Sequence, residues 1–148
     1  LGFLPFNFPR AQIFMGDVGS QFLGFFFAGL AVLAAGSNDV QIPFWVMPLI
    51  FFHFIFDASF TFLRRLCAGE VVTDAHRSHL YQLVNRMGWP HSKVSILYAT
   101  MGIFQGIAAI WLMGSSASSQ GLVFLFFFMV YTVFMLIVIR GARANKLI

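Results

Sequence analysis

Four long apolar stretches, none interrupted by Lys, Arg or Glu, dominate what this chain can fold into. A hydrocarbon core about 30 Å thick needs about 20 helical residues to cross it. Residues 20–36, 43–63, 94–113 and 121–139 approach or meet that length. The first is short unless it begins near Asp17. The second opens on Pro43, suited to a first helical turn, and ends at Arg64-Arg65, while Arg140-Gly141 closes the fourth. Leu1 to Phe8 reads as the end of an earlier helix, too short to span. The predicted fold class is all-α: a polytopic integral membrane helix bundle of about four complete transmembrane helices plus the end of a preceding one, forming a single membrane domain over 1–148.

Composition agrees, with 59% hydrophobic residues against 9% charged. The nine Lys/Arg and five Asp/Glu are too sparse and scattered for a phosphate-tracking groove, which excludes nucleic acid as a partner. A single cysteine, Cys67, leaves no internal disulfide. The basic residues instead report sidedness, because Lys and Arg stay on the cytoplasmic side of short loops. Arg10 precedes the first stretch; Arg64, Arg65, Arg77, Arg86 and Lys93 lie between the second and third; Arg140, Arg143 and Lys146 follow the fourth. The connections at 37–42 and 114–120 carry none. Segments 8–19, 64–93 and 140–148 are therefore expected at the cytoplasmic face, where any cytosolic chemistry must be assembled.

Several residues exceed what a membrane bundle needs. Asp17 lies between Gly16 and Gly19 at the mouth of the first helix. A carboxylate there pairs with a cation, a metal or a backbone donor, and Mg²⁺ accepts one or two carboxylates plus water and phosphate oxygens. The competing reading is an N-cap for a helix beginning near Ser20. In the second charged segment, Leu80, Leu83, Val84 and Met87 recur at helical spacing, predicting a surface helix that starts near Thr73 or Asp74. That register places His79 and Arg86 within about 20° of each other, a pair of donors suited to a diphosphate. A plain interfacial helix meeting lipid headgroups is the simpler alternative. Zinc on Cys67, His76 and His79 fits poorly in count and spacing. His53 and Asp57, at i and i+4 inside the second helix, should point into the bundle and pair with each other, or Asp57 with Arg64 or Arg65. Gly102 and Gly106 read as a close helix contact.

The stretch Gly2-Phe3-Leu4-Pro5-Phe6-Asn7 continuing to Phe14-Met15-Gly16-Asp17-Val18-Gly19-Ser20 resembles the GFLxxN…FMGDxGS pattern of the polyprenyl-phosphate N-acetylhexosamine-1-phosphate transferases. An acidic residue before a basic pair, as in Asp57 and Arg64-Arg65, and a histidine motif before the next helix extend the likeness along the chain. The resemblance implies Asp17 as a ligand of Mg²⁺, with Mn²⁺ as the alternative, and Asn7 and Phe14 facing the donor's uridine. It makes His79 the first histidine of a His-x-His-His motif that reads His79-Leu80-Tyr81-Gln82 here, so one of three histidines is kept. The wording around Asp74, His76 and Arg77 is similar to the branch that initiates O-antigen and other surface polysaccharides. The family's paired aspartates lie upstream of the matched region, so the chain is expected to be the C-terminal half of an enzyme and inactive alone.

The reaction so implied moves a sugar-1-phosphate from a UDP-N-acetylhexosamine to undecaprenyl phosphate at the cytoplasmic face of a bacterial inner membrane and releases UMP. Asp17 and His79 are the catalytic candidates; Asn7, Phe14, Arg77 and Arg86 are the substrate-binding ones. Expected partners are the nucleotide sugar, the polyprenyl phosphate, the membrane and a second copy of the chain. Two rivals predict different sensitive positions: a transporter or channel piece that uses His53 and Asp57, and a non-catalytic structural piece that packs through Gly102 and Gly106.

Overall fold

The computed structural model describes residues 2–13, 15–36, 42–43, 45–74 and 76–148, without the side chains of 117 and 118. Among these residues a 3-10 turn, Leu4–Phe6, precedes six helices: α1 (Gly16–Ala35), α2 (Val46–Ile50), α3 (Phe52–Cys67), α4 (Leu80–Arg86), α5 (His91–Leu112) and α6 (Ala117–Ala144). Among the described residues there is no strand, and α1, α5 and α6 are each long and apolar enough to cross a membrane. The chain is a polytopic membrane helix bundle. Most large apolar side chains outside the contacts face outward, as lipid requires: Val18, Phe25, Ile110 and Trp111 are among the most exposed.

The expected second span is broken rather than continuous. Helix α2 stops at Ile50 and α3 starts at Phe52, with Phe51 between them at φ −95°, ψ 11°. The interruption frees backbone groups that hydrocarbon could not hydrate, and a side chain from α5 takes them. Gln105 is completely buried. In the orientation that satisfies its whole carboxamide, its Nε2 donates to Ile50 O at 3.0 Å and to His53 Nδ1 at 2.6 Å. Its Oε1 accepts from His53 N at 3.2 Å and from the Tyr131 hydroxyl at 3.1 Å. The backbone bonds that a continuous helix would give Ile50 O and His53 N go to Gln105 instead, and Phe54 N turns back to Phe51 O at 3.0 Å. His53 therefore pairs with Gln105 and not with Asp57.

Two apolar clusters hold the bundle at its two ends. One joins Leu80, Leu83 and Val84 of α4 to Val94 and Tyr98 of α5 and to Val138 and Ala142 of α6. The other joins Val46 and Leu49 of α2 to Ala109 and Leu112 of α5 and to Phe127 and Tyr131 of α6. Phe56 and Phe134 pack against both. Helix α1 packs chiefly on α2, through rings such as Phe27 and Phe51 with centroids 5.1 Å apart.

Helix α6 does not stop at Arg140-Gly141 but runs on to Ala144. A Cβ at Gly141 would stand 2.7 Å from Met87 Sδ, so the methionine just after α4 lies directly over this glycine and a larger residue there would make its side chain shift. The close contact expected at Gly102 and Gly106 is not required by the packing: a Cβ at Gly102 would meet His53 Cε1 at an ordinary 3.6 Å, and one at Gly106 would meet nothing within 4 Å.

Replacing Gln105 by Leu should cost about 1–3 kcal/mol or more, because the partners left behind stay buried and unpaired. Reversible unfolding in mixed micelles measures it. Unchanged stability would show that the break at Phe51 holds without the carboxamide.

Candidate functional site

The end of the bundle where α3 finishes, α4 lies and α5 begins holds a dense set of hydrogen-bonded polar side chains. Its local architecture starts with Arg65, which is 4% exposed at the last turn of α3. A buried guanidinium must spend its five donors. Nε donates to Glu70 Oε2 at 2.7 Å, Nη2 to Val71 O at 2.7 Å, and Nη1 to Val72 O at 3.1 Å and Asp74 O at 3.3 Å. Nη1 also stands 2.9 Å from His76 Nδ1. The chain after α3 is thus wrapped around one cation. The Arg65 hydrogen bond holds the Glu70 carboxyl below its ordinary range, so the contact is complete above that range and is lost only in acid.

This wrapping explains why the surface helix does not start at Thr73 or Asp74. The Asp74 carbonyl is committed to Arg65, and the helix begins only at Leu80, with His79 as its N-cap residue in an extended conformation. Gln82 Oε1 accepts from His79 N at 3.2 Å, and Leu80 N donates across the bundle to Asp57 Oδ1 at 2.8 Å. Asp57 is 3% exposed and fully engaged: Thr61 Oγ1 donates to Oδ1 at 3.1 Å, the Tyr98 hydroxyl donates to Oδ2 at 3.3 Å, and His79 Nδ1 lies 3.4 Å from Oδ1. Asp57 pairs with none of His53, Arg64 and Arg65; the titratable ring beside it is His79. His79 accordingly turns into the bundle, while Arg86 reaches back to donate to Arg77 O at 3.1 Å. The expected flank of His79 beside Arg86 is not formed, because His79 precedes the helix and does not follow its register.

A row of rings leads inward from this loop. His76 and His79 have centroids 4.9 Å apart, His79 and Tyr81 5.8 Å, Tyr81 and Tyr98 6.0 Å, and Tyr98 and His53 5.6 Å. Burial, and then the Asp57 carboxylate, push the Tyr81 phenol up from its ordinary value, so it remains a donor. Beside the row, an apolar groove of about 590 Å³ runs between α3 and α5, from Tyr81 and Ser95 past Phe54 and Tyr98 to Gly102 and Ile103. Arg64 Nε and Nη2, His76 Nε2 and Ser78 Oγ are buried without a hydrogen-bond partner among the described residues.

Asp17 stands apart from this cluster. It is exposed in the first turn of α1, and its carboxylate makes no hydrogen bond or ion pair with the described residues. It does not cap the helix, which already starts at Gly16, where φ is +66° and only glycine is unstrained. Ser20 Oγ donates instead to Asp17 O at 3.1 Å. Asn7 Nδ2 donates to Ile13 O at 2.7 Å and ties down the turn ahead of α1. Phe14 lies outside the described residues. Among these residues no three of His, Cys, Asp and Glu converge as a metal cage, Cys67, His76 and His79 included. A free, hard-oxygen carboxylate such as Asp17 fits a Mg²⁺ that takes one protein ligand and fills its other positions with water and phosphate oxygens.

Residues 1–35 match the profile of glycosyl transferase family 4. A decaprenyl-phosphate N-acetylglucosaminephosphotransferase of Mycobacterium leprae is 35% identical over 115 residues, covering 70% of this chain and 29% of the relative. A probable undecaprenyl-phosphate N-acetylglucosaminyl 1-phosphate transferase of Bacillus subtilis is 33% identical over 111 residues, covering 74% and 31%. A phospho-N-acetylmuramoyl-pentapeptide-transferase of Staphylococcus saprophyticus is 30% identical over 118 residues, covering 76% and 33%. The matched region is thus about a third or less of the length of these relatives. No solved structure matches.

Removing the Arg65 guanidinium should release the loop it organises. In Arg65→Ala, backbone amides of 70–76 should exchange much faster while those of α5 and α6 stay protected, read by hydrogen exchange with mass spectrometry. In the unaltered protein the same amides should lose protection only on acidification through the lowered Glu70 range. Equal loop protection in both proteins would contradict the clamp.

Proposed function

Because the chain belongs to the superfamily of polyprenyl-phosphate N-acetylhexosamine-1-phosphate transferases, we propose that it carries part of the site that moves a sugar-1-phosphate from a UDP-N-acetylhexosamine to undecaprenyl phosphate, releasing UMP. The reaction would be the first membrane step of O-antigen or another surface polysaccharide, at the cytoplasmic face of a bacterial inner membrane. Asp17 carries the reading: a free carboxylate in the first turn of a membrane-spanning helix, inside the residues that match the family. Such a group costs free energy at a membrane boundary unless a cation or ligand uses it.

Asp17 would hold Mg²⁺, or Mn²⁺, which when bound neutralises diphosphate charge and stabilises the leaving phosphate. The chain's other residues bind and orient. Asn7 fixes the turn before α1 through Ile13 O, so that this segment presents a defined edge to the uridine. Arg77 and Arg86, linked through the Arg77 carbonyl and both exposed, offer donors to phosphate oxygens. His79 offers its outward ring edge to the same anions. The groove beside Tyr81, Tyr98 and Ile103 opens from this polar end toward the apolar interior, a shape that suits a polyprenyl tail whose phosphate stays at the interface.

Asp17→Asn in the full-length protein should lower UMP release from UDP-N-acetylhexosamine, with undecaprenyl phosphate and Mg²⁺ supplied, by about 100- to 1,000-fold or more. Near-normal transfer by that variant would remove Asp17 from the metal site.

A further inference from the structure

Asp57 is buried at the point where three helices meet, and its two oxygens are shared among groups from all of them. Thr61 is on its own helix; Leu80 N and His79 Nδ1 are at the start of α4; Tyr98 is on α5. A buried carboxylate is expensive unless it is fully hydrogen-bonded and charge-compensated. Hydroxyls and a backbone amide supply the hydrogen bonds here. Among the described residues the one side chain at ion-pair distance that can carry a positive charge is His79, its Nδ1 3.4 Å from Oδ1. The contact is made by Nδ1, so Nε2 is the ring nitrogen turned away from the carboxylate; it makes no hydrogen bond with the described residues, and the side chain keeps 27% of its surface open.

We propose that Asp57 is the positioning residue for His79, fixing its backbone through Leu80 N and its ring through the carboxylate, so that Nε2 is the nitrogen presented to a phosphate-bearing substrate. An ionised carboxylate only accepts, so the nitrogen facing it is the one it keeps protonated. The His79 ring lies between the Tyr81 ring, on which it stacks with centroids 5.8 Å apart, and the tilted His76 ring at 4.9 Å, and both contacts limit its rotation. The role of His79 toward substrate rests on the transferase reading above; its orientation by Asp57 does not.

The test separates the two. In the chain reconstituted in lipid nanodiscs with ¹⁵N-labelled histidine, the His79 ring signals, assigned by their loss in His79→Gln, should report a proton on Nδ1. Asp57→Asn keeps an acceptor for Leu80 N but removes the charge. It should shift the His79 ring nitrogens toward the other tautomer while those of exposed His91 stay in place. Should the Asn variant fail to fold, Asp57→Glu and Tyr98→Phe carry the measurement. Glu must preserve the Nδ1 proton, and Phe, which strips a donor from Oδ2 only, must preserve it too. His79 signals that do not move in Asn, or that move equally in Asn and Glu, overturn the proposal. Turnover by the full-length protein reads the other question: Asp57→Asn should lower kcat by about 10- to 100-fold with little change in KM for the nucleotide sugar. If His79→Gln leaves transfer intact while the ring signals behave as expected, the substrate role of His79 fails and the positioning stands.

Discussion

Every place where this backbone leaves the helix inside the bundle must find its own hydrogen-bonding partner, because hydrocarbon offers none. Three buried polar side chains meet that demand. Gln105 takes the groups exposed by the break at Phe51, Asp57 takes the first amide of α4, and Arg65 takes three carbonyls of the chain between α3 and α4. Each is at most 4% exposed. The irregular segments are thus held by specific contacts, and the polar residues that a hydropathy profile treats as blemishes are the ones that set its geometry.

The same contacts shape the site. Arg65 brings His76 beside His79, Asp57 turns His79 inward, and the rings of Tyr81 and Tyr98 continue the row into the bundle. Leu80, Leu83 and Val84 pack α4 onto α5 and α6, so the loop that carries His76 and His79 is anchored at its far end by a buried helix. A polar, donor-rich end adjoins an apolar groove, the feature on which the proposed binding of an amphiphile with an anionic head rests, in a chain that matches polyprenyl-phosphate transferases over some 70–76% of its length. Asp17, on a helix that packs mainly against α2, is the part of the proposed site least tied to the rest by this chain's own contacts.

Much of the fold is legible in the residues themselves. Uninterrupted apolar runs of membrane length specify α1, α5 and α6, and the apolar spacing of Leu80, Leu83, Val84 and Met87 specifies α4. The likeness to the transferases is legible too, in the residues from Gly2 to Ser20. Three features were not. The second apolar run reads as continuous because its break depends on a glutamine more than fifty residues away. The start of α4 is misplaced because Asp74 looks like a cap until its carbonyl is seen bound to Arg65. Asp57 announces only that it needs a partner, and its neighbours at helical spacing suggest His53 or the arginines, whereas the structure supplies His79 and Tyr98.

The sequence by itself determined that this is a membrane helix bundle and which of its polar residues could not be left alone. Both follow from local quantities: hydrophobic length against bilayer thickness, and the cost of an ionisable group in hydrocarbon. Only the tertiary structure decided which partner each polar residue takes, where α2 gives way to α3, and which edge of His79 faces outward. Those outcomes depend on groups far apart in the chain that meet when α3, α4 and α5 pack, and a directional hydrogen bond has no periodicity along a sequence from which its far end could be read.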